Sequence, residues 1–132
     1  DILYPDRDPS KLDTNFGAVV MRLVYGETSF MLTADMPSHI EDWLLILDAD
    51  DGELDVDVLK VAHHGSKYST NSTWLVATSP QIAAISVGAH NSYGHPTPET
   101  LGRIADEGAT VYRTDQNGRI VFRSDGQTIT RN

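Results

Sequence analysis

Hydrophobic residues follow two different spacings along this chain, and the alternation of the two predicts both strands and helices. Ala18–Tyr25 and Thr28–Thr33 are rich in β-branched and aromatic residues, and Gly26-Glu27 between them favours a two-residue hairpin turn. Met36–Leu47 instead carries apolar residues at helical spacing, with Ser38 placed to cap the helix. The helix is expected to pack on the sheet that contains the hairpin.

The second half of the chain alternates strand and helix patterns. Asp55–Val61 and Ile82–Val87 are apolar runs typical of strands buried on both faces, and a short helix, Ser72–Ala77, lies between them. Strand, helix and strand in this order predict a right-handed crossover. The remaining predicted elements are a helix that Thr97 caps and Gly108 terminates, and strands at Val111–Arg113, Ile120–Phe122 and Thr128–Thr130, joined at Asn117-Gly118 and Asp125-Gly126.

Length and composition favour a single domain. A chain of 132 residues with 39% hydrophobic content can bury one core of ordinary size. Residues 1–15 contain two prolines and four aspartates and predict an irregular lead-in. Asp48–Glu53 lacks the sixth-position glycine of a calcium-binding loop, so a solvated acidic loop is favoured. Neither a membrane span nor a signal peptide is expected, because no apolar stretch approaches 18 residues.

The formal charge of −9 argues against ready binding to nucleic acid, but the charge is unevenly distributed. Residues 1–60 hold 14 acidic and 4 basic side chains, whereas residues 61–132 hold 5 and 6. A face formed by the second stretch is thus able to meet a polyanion, in binding that salt should weaken. The absence of cysteine leaves any metal to histidine and carboxylate ligands.

Two predicted strands end in side chains that bind metals. One is followed by His63, His64 and Gly65, and the other, Phe30–Ala34, by Asp35. Strand ends of this kind share one edge of an open α/β sheet, and His and Asp there are natural ligands of a divalent cation. We favour His64 as the ligand because Gly65 lets the backbone turn, with His63 binding a substrate oxygen or orienting a ligand.

The residues alone leave other interpretations open. In one alternative, the histidine pair has no ligand and only ends a strand. In another, Asp35 is a cap or first-turn acid of the following helix. Two further polar loops carry candidate substrate-binding residues, for which ordinary loop roles are an alternative. These candidates are Ser66, Lys67, Asn91 and His95.

The chain also carries an ordered set of motifs: Leu32–Asp35, Asp57–Ser66, Ile85–Gly88, Asn91–Pro96 and Val111–Asp115. In this order they closely resemble the C-terminal part of the metallo-β-lactamase-fold domain of ComEC-type DNA-uptake (competence) proteins. The resemblance covers nearly the whole chain. Many hydrolases of that fold share the His-His-Gly-Ser element, whereas its combination with Tyr-Gly-His-Pro and Tyr-Arg-Thr-Asp is more specific.

The resemblance implies an α/β fold of the αβ/βα sandwich type with two divalent cations, usually zinc or manganese. By that resemblance Asp35 bridges the ions, His64 is the last histidine ligand, and Asp35, His63 and His64 form the catalytic set. A bridging carboxylate can hold two cations about 3.5–4 Å apart with a hydroxide between them. Ala34 departs from the family, which usually has glycine at this position.

The family's histidine-x-histidine-x-aspartate-histidine cluster, which supplies most metal ligands, occurs nowhere in this sequence. Residues 1–132 are therefore expected to form a partial domain, the C-terminal half of the sandwich. Since a catalytic site needs at least three ligands per ion, the isolated chain is expected to be inactive and to bind metal weakly. The expected partners are the N-terminal half, DNA, and a second copy through exposed apolar surface.

Competence members of the family are thought to degrade one DNA strand as the other enters the cell. The resemblance thus implies part of a nuclease or phosphodiesterase domain that lies outside the cytoplasm, in a bacterial inner-membrane parent. Two alternatives stay open. One is another hydrolase of the same fold, such as a secreted phosphodiesterase or esterase, and the other is a non-catalytic binding module that lacks its metal half.

Overall fold

The computed structural model describes residues 1–13, 15–48 and 53–132, which form two sheets and four helices. None of the helices in these ranges is long and apolar enough to cross a bilayer. The strands are β1 Ile2–Tyr4, β2 Val20–Tyr25, β3 Thr28–Leu32, β4 Val58–Lys60, β5 Ile82–Ile85, β6 Thr110–Arg113, β7 Phe122–Ser124 and β8 Ile129–Arg131. The helices are α1 Ser38–Leu47, α2 Ser72–Thr78, α3 Pro98–Asp106 and the short α4 Thr114–Asn117.

The larger sheet follows the chain, in the order β1-β2-β3-β4-β5-β6. Strands β1 to β3 pair antiparallel, whereas β3, β4, β5 and β6 are parallel neighbours. The residues that follow these four parallel strands therefore lie along one edge, which we call the C-terminal edge. The arrangement confirms the predicted α/β class and is consistent with an αβ sandwich.

One face of this sheet packs against the helices. Met31, Leu59 and Ala83 are cross-strand neighbours on β3, β4 and β5, and all three are fully buried. Trp74 from α2 and Ile104 from α3 are fully buried in the same cluster. Because side chains alternate across a strand, the intervening residues point to the opposite face.

The opposite face of the sheet is apolar and only partly covered. Phe122 of β7 packs against Tyr112 with ring centroids 6.2 Å apart, so the small β7-β8 sheet covers one side. Toward β2 the side chains of Leu23 and Leu32 remain 55% and 37% exposed, and Phe30 lies between them. We call Leu23, Phe30, Leu32 and Phe122 the open face.

Local sequence signals locate two elements correctly. Gly26 opens the predicted hairpin turn at φ +60°, and a Cβ there would lie 2.2 Å from the carbonyl oxygen of Gly126. Glycine is thus required both by the backbone conformation and by this close approach. Thr97 caps α3 as predicted, with its side chain accepting the N–H of Thr100 at 3.4 Å.

Other boundaries differ from the prediction. The N-cap of α1 is Pro37 rather than Ser38, because the Ser38 hydroxyl donates to the carbonyl of Tyr68 at 2.7 Å. The lead-in at residues 1–15 is not wholly irregular, because β1 pairs with β2 and buries Tyr4. Strands β4 and β5 are shorter than predicted. The last residues of the two predicted strands lie beyond β4 and β5, at the C-terminal edge. Residues 49–52 of the predicted acidic loop lie outside the described residues.

Glu41 of α1 is a fully buried acidic residue. Its two carboxylate oxygens accept the N–H groups of Thr70 and Asn71, the latter at 2.9 Å. Burial raises its pKa from 4.5 to about 7, and the two N–H groups oppose that shift. Glu41 therefore joins α1 to the segment before α2 and titrates near neutral pH.

Replacing Glu41 with glutamine should remove a pH dependence of stability. Because the folded pKa of about 7 exceeds the ordinary 4.5, the Glu41 contribution is complete below pH 4.5 and is lost as the pH rises through 7. The shift corresponds to about 3 kcal/mol. Urea unfolding across this range should show that the stability of the original chain falls relative to that of Glu41→Gln as the pH rises. A difference that stays constant with pH would contradict the prediction, and Asp106→Asn, which replaces an exposed carboxylate with an amide, is the control.

Candidate functional site

Three consecutive strand ends meet at the C-terminal edge. Ala34-Asp35 follows β3, His63-His64 follows β4, and Ser86 follows β5. The N–H of His63 donates to the carbonyl of Ala34 at 3.1 Å, which fixes the first two segments to each other. The parallel pairing of β4 with β5 brings the third alongside.

The backbone at this edge is strained. Ala34, His63 and His64 have φ angles of +46°, +47° and +55°, and Gly65 continues at +84°. Non-glycine residues in this left-handed region cost roughly 1–3 kcal/mol each, and such residues cluster at functional sites. The strain also gives a physical reason for the glycine that the family resemblance expects at position 34. Leaving the strand geometry allows both histidines to reach one side of the sheet.

His64 is held in an orientation that suits a metal ligand. Its Nδ1 lies 2.6 Å from the carbonyl oxygen of Ser86, and because a carbonyl only accepts, Nδ1 carries the proton. Nε2 is therefore the ring nitrogen that remains for a ligand, and it lies 3.5 Å from Oδ1 of Asp35. Two ligand atoms on one tetrahedral cation, with bonds of about 2.0–2.1 Å, are about 3.3 Å apart. Asp35 and His64 thus lie at a separation that one shared cation could bridge.

Two further histidines, His63 and His95, lie close to His64. The two rings are nearly perpendicular, with centroids 6.0 Å apart, and His63 is 6.4 Å from His64. Burial lowers the pKa of His95, and the neighbouring histidines lower it further. Its Nδ1 is buried without a hydrogen-bond partner among the described residues. The neutral form of the His95 imidazole, which lies next to the His63 ring, is therefore favoured.

The predicted substrate residues after the histidines have different surroundings. Ser66 is buried, its hydroxyl accepts the N–H of Tyr68 at 3.3 Å, and its carbonyl accepts the Thr100 hydroxyl at 2.9 Å. Lys67 is exposed, with Nζ 5.1 Å from the centroid of the Tyr68 ring. Ser66 thus holds its own turn together, whereas the charge of Lys67 faces solvent. A role in substrate binding stays a prediction for both.

Asn91 organises the loop that carries His95. Its side-chain amide donates to the carbonyls of Gly88 and His95 at 3.0 and 2.8 Å and accepts the N–H of His95 at 3.0 Å. Asn91 also lines a cavity of about 200 Å³ beside His64. The other residues of that cavity wall are Val87, Gly88, Tyr93 and His95.

Arg103 supports the site from α3, a role that sequence reasoning missed. Its guanidinium donates to the carbonyls of Lys67, Ser69 and Thr70 at 3.3, 3.0 and 2.9 Å. Glu41 binds the N–H groups of the same segment, residues 66–71, which we call the clamp loop. The neighbouring sequence of Arg103 or Glu41 does not reveal this role, because each residue binds backbone that is about 30 positions away.

The sequence analysis also did not name Lys60 as a residue near the site, although its position at the end of β4 indicates the C-terminal edge. Burial lowers the pKa of its ammonium group, and the charge of Asp35 acts in the opposite direction.

Among the residues that the structure describes, no group of three or more His, Asp or Glu side chains could hold a metal ion. The described ranges therefore bring together two of the expected ligands.

The chain is similar to known proteins over most of its length. No family model matches it. The chain is 34% identical over 122 residues to ComE operon protein 3 of Bacillus subtilis, covering 92% of this chain and 15% of that protein. It is 34% identical over 111 residues to competence protein ComA of Neisseria gonorrhoeae, covering 84% and 16% of the two chains.

A third relative is recombination protein 2 of Haemophilus influenzae, which is 30% identical over 119 residues, with coverage of 90% of this chain and 14% of that protein. The chain thus spans between 14% and 16% of the length of these relatives. The chain is therefore related, over most of its own length, to one segment of a family of competence proteins.

Proposed function

We propose that this chain supplies one part of a metal-dependent nuclease site that degrades DNA during DNA uptake. The observation that carries the proposal is the placement of His64. Its Nδ1 is engaged by the Ser86 carbonyl, and its Nε2 is turned toward the carboxylate of Asp35. The relatives named as competence proteins support the same process.

The donor chemistry of the site fits a zinc or manganese centre. Asp35 and His64 would hold the cations, and residues of the complete protein outside this chain would add the other ligands. Two such cations would supply Lewis acidity and an activated water to a phosphodiester substrate. Within this chain, the Ser86 carbonyl fixes the ring and the tautomer of His64.

The neighbouring histidines would bind the substrate rather than the metal. His95 is favoured in its neutral form, and its ring lines the cavity beside His64, where it would contact the substrate. The His63 ring is a neighbour of both the His64 and the His95 rings and would contact the same group. Lys67 would add a positive charge at the solvent side of the site.

The open face is the proposed contact for the N-terminal half of the domain. Leu23, Phe30 and Leu32 present apolar side chains on one side of the sheet, where a second layer would complete a sandwich. In the absence of that layer, two copies of the chain would associate through the same surface.

The complete protein would be anchored in the membrane by other segments, with this domain outside the cytoplasm.

Replacing Asp35 with alanine in the full-length protein should abolish manganese-dependent cleavage of single-stranded DNA. The loss should exceed the roughly 10- to 100-fold that removal of an outer partner of a metal ligand typically causes. The rate of cleavage of a labelled oligonucleotide measures this effect. Asp106→Ala, which removes an exposed carboxylate at the end of α3, is the matched control and should cleave normally. Unchanged cleavage by Asp35→Ala would remove Asp35 from the mechanism.

The isolated 132-residue chain should bind Mn²⁺ or Co²⁺ weakly and should not cleave DNA. Two ligands leave the coordination of each cation incomplete, because catalytic sites use at least three protein ligands. Calorimetric titration of the purified chain with each metal measures the affinity, and Asp35→Ala should remove the residual binding. Tight binding with robust turnover by the purified chain would show that the described residues suffice and would contradict the proposed division of the site.

A further inference from the structure

Four aromatic rings are successive neighbours in a row that begins at Tyr93 and ends at His64, the partner of Asp35. Tyr93 and His95 are nearly parallel, with an angle of 21° and centroids 5.9 Å apart. His95 lies 6.0 Å from His63, and His63 lies 6.4 Å from His64. The outermost ring, that of Tyr93, is 80% exposed. One end of the row is thus a metal-competent imidazole and the other a bare aromatic ring in water.

The exposure of Tyr93 is not the result of an untethered loop. Asn91 binds the backbone on both sides of Tyr93 through three hydrogen bonds, to Gly88 and to both peptide groups of His95. Thr97, just after this loop, donates its N–H to the carbonyl of Gly65 at 2.9 Å. The fold therefore fixes the loop and holds a large aromatic side chain outward, although burial would favour stability.

The cavity beside Tyr93 has the size and surface of a binding place for one flat ring. Its volume of about 200 Å³ is below the roughly 300–1,000 Å³ typical of sites for larger ligands. Val87 and Gly88 contribute to its wall, and a Cβ on Gly88 would meet no atom within 4 Å, so the wall there is open. Among the residues that the structure describes, none that lines this cavity carries a carboxylate or ammonium group. Such a surface suits stacking rather than ion pairing.

We propose that Tyr93 is a stacking platform for one base of single-stranded DNA, next to the phosphate held at Asp35 and His64. The proposal rests on the proposed function and adds the subsite that grips the nucleoside. His64 belongs both to the metal-competent pair and to the cavity wall, so a phosphate at the pair places its neighbouring base at Tyr93. Stacking on a π-face tolerates every base, which suits degradation of DNA of any sequence. The strand must be single, because the bases of a duplex already stack on one another.

The test compares two single strands that differ only in their bases. The full-length protein with Mn²⁺ is titrated with a short phosphorothioate-linked oligonucleotide and with a matched strand in which every nucleotide is abasic, and fluorescence anisotropy measures binding. Tyr93→Ala should weaken binding of the base-containing strand roughly 5- to 150-fold. It should leave binding of the abasic strand unchanged, since the phosphate contacts remain. Tyr93→Phe keeps the ring and should bind both strands normally.

A matched control uses Tyr25, another exposed tyrosine, which lies at the end of β2 opposite the C-terminal edge. Tyr25→Ala should leave binding of both strands unchanged. Equal binding of the base-containing strand by Tyr93→Ala and the original protein would overturn the stacking subsite while leaving the proposed nuclease function intact. Equal weakening of both strands would also overturn it, because the tyrosine would then act through loop structure. If the original protein binds neither strand, the proposed function and the subsite both fail.

Discussion

The parallel pairing of β3, β4 and β5 is the constraint on which the rest of this molecule depends. It brings three chain segments that are distant in sequence to a single edge, and each segment supplies one part of the site. Asp35 provides a carboxylate, His64 an imidazole, and Ser86 the carbonyl that sets which ring nitrogen is free. A shift of one residue in either register would move these groups by about 3.3 Å, enough to break the Ser86 contact.

The pairing of strands does not by itself hold the side chains in place, because the residues after a strand are free to diverge. The clamp loop prevents this divergence. Its carbonyls bind Arg103, its amides bind Glu41, and the Ser69 hydroxyl donates to the carbonyl of Met36, next to Asp35. The loop therefore ties α1, α3 and the histidine turn into one unit. The strained backbone at Ala34, His63 and His64 can persist because the surrounding contacts are numerous.

Sequence reasoning located features whose cause is local and missed those whose cause is distant. The hairpin at Gly26 and the cap at Thr97 follow from conformational preferences that act within a few residues. The proximity of Asp35 and His64 was also predictable, because the ends of parallel strands must share an edge. The displaced cap at Ser38 was not, since it depends on a carbonyl of Tyr68, thirty positions away. The exposure of Tyr93 depends in the same way on the packing of a whole loop.

The uneven charge of the chain fits a site that handles a polyanion. Acidic residues dominate residues 1–60, and one of them, Asp35, lies at the proposed metal position, where cations would neutralise it. Exposed carboxylates farther than about 8–10 Å from the substrate are largely screened at physiological ionic strength. The loops that would meet DNA come from residues 61–132, in which bases slightly outnumber acids. In the proposed complex, binding at this edge would therefore be governed by the metal ions and the aromatic surface, and the net charge of −9 would weaken binding of DNA to the remaining surface.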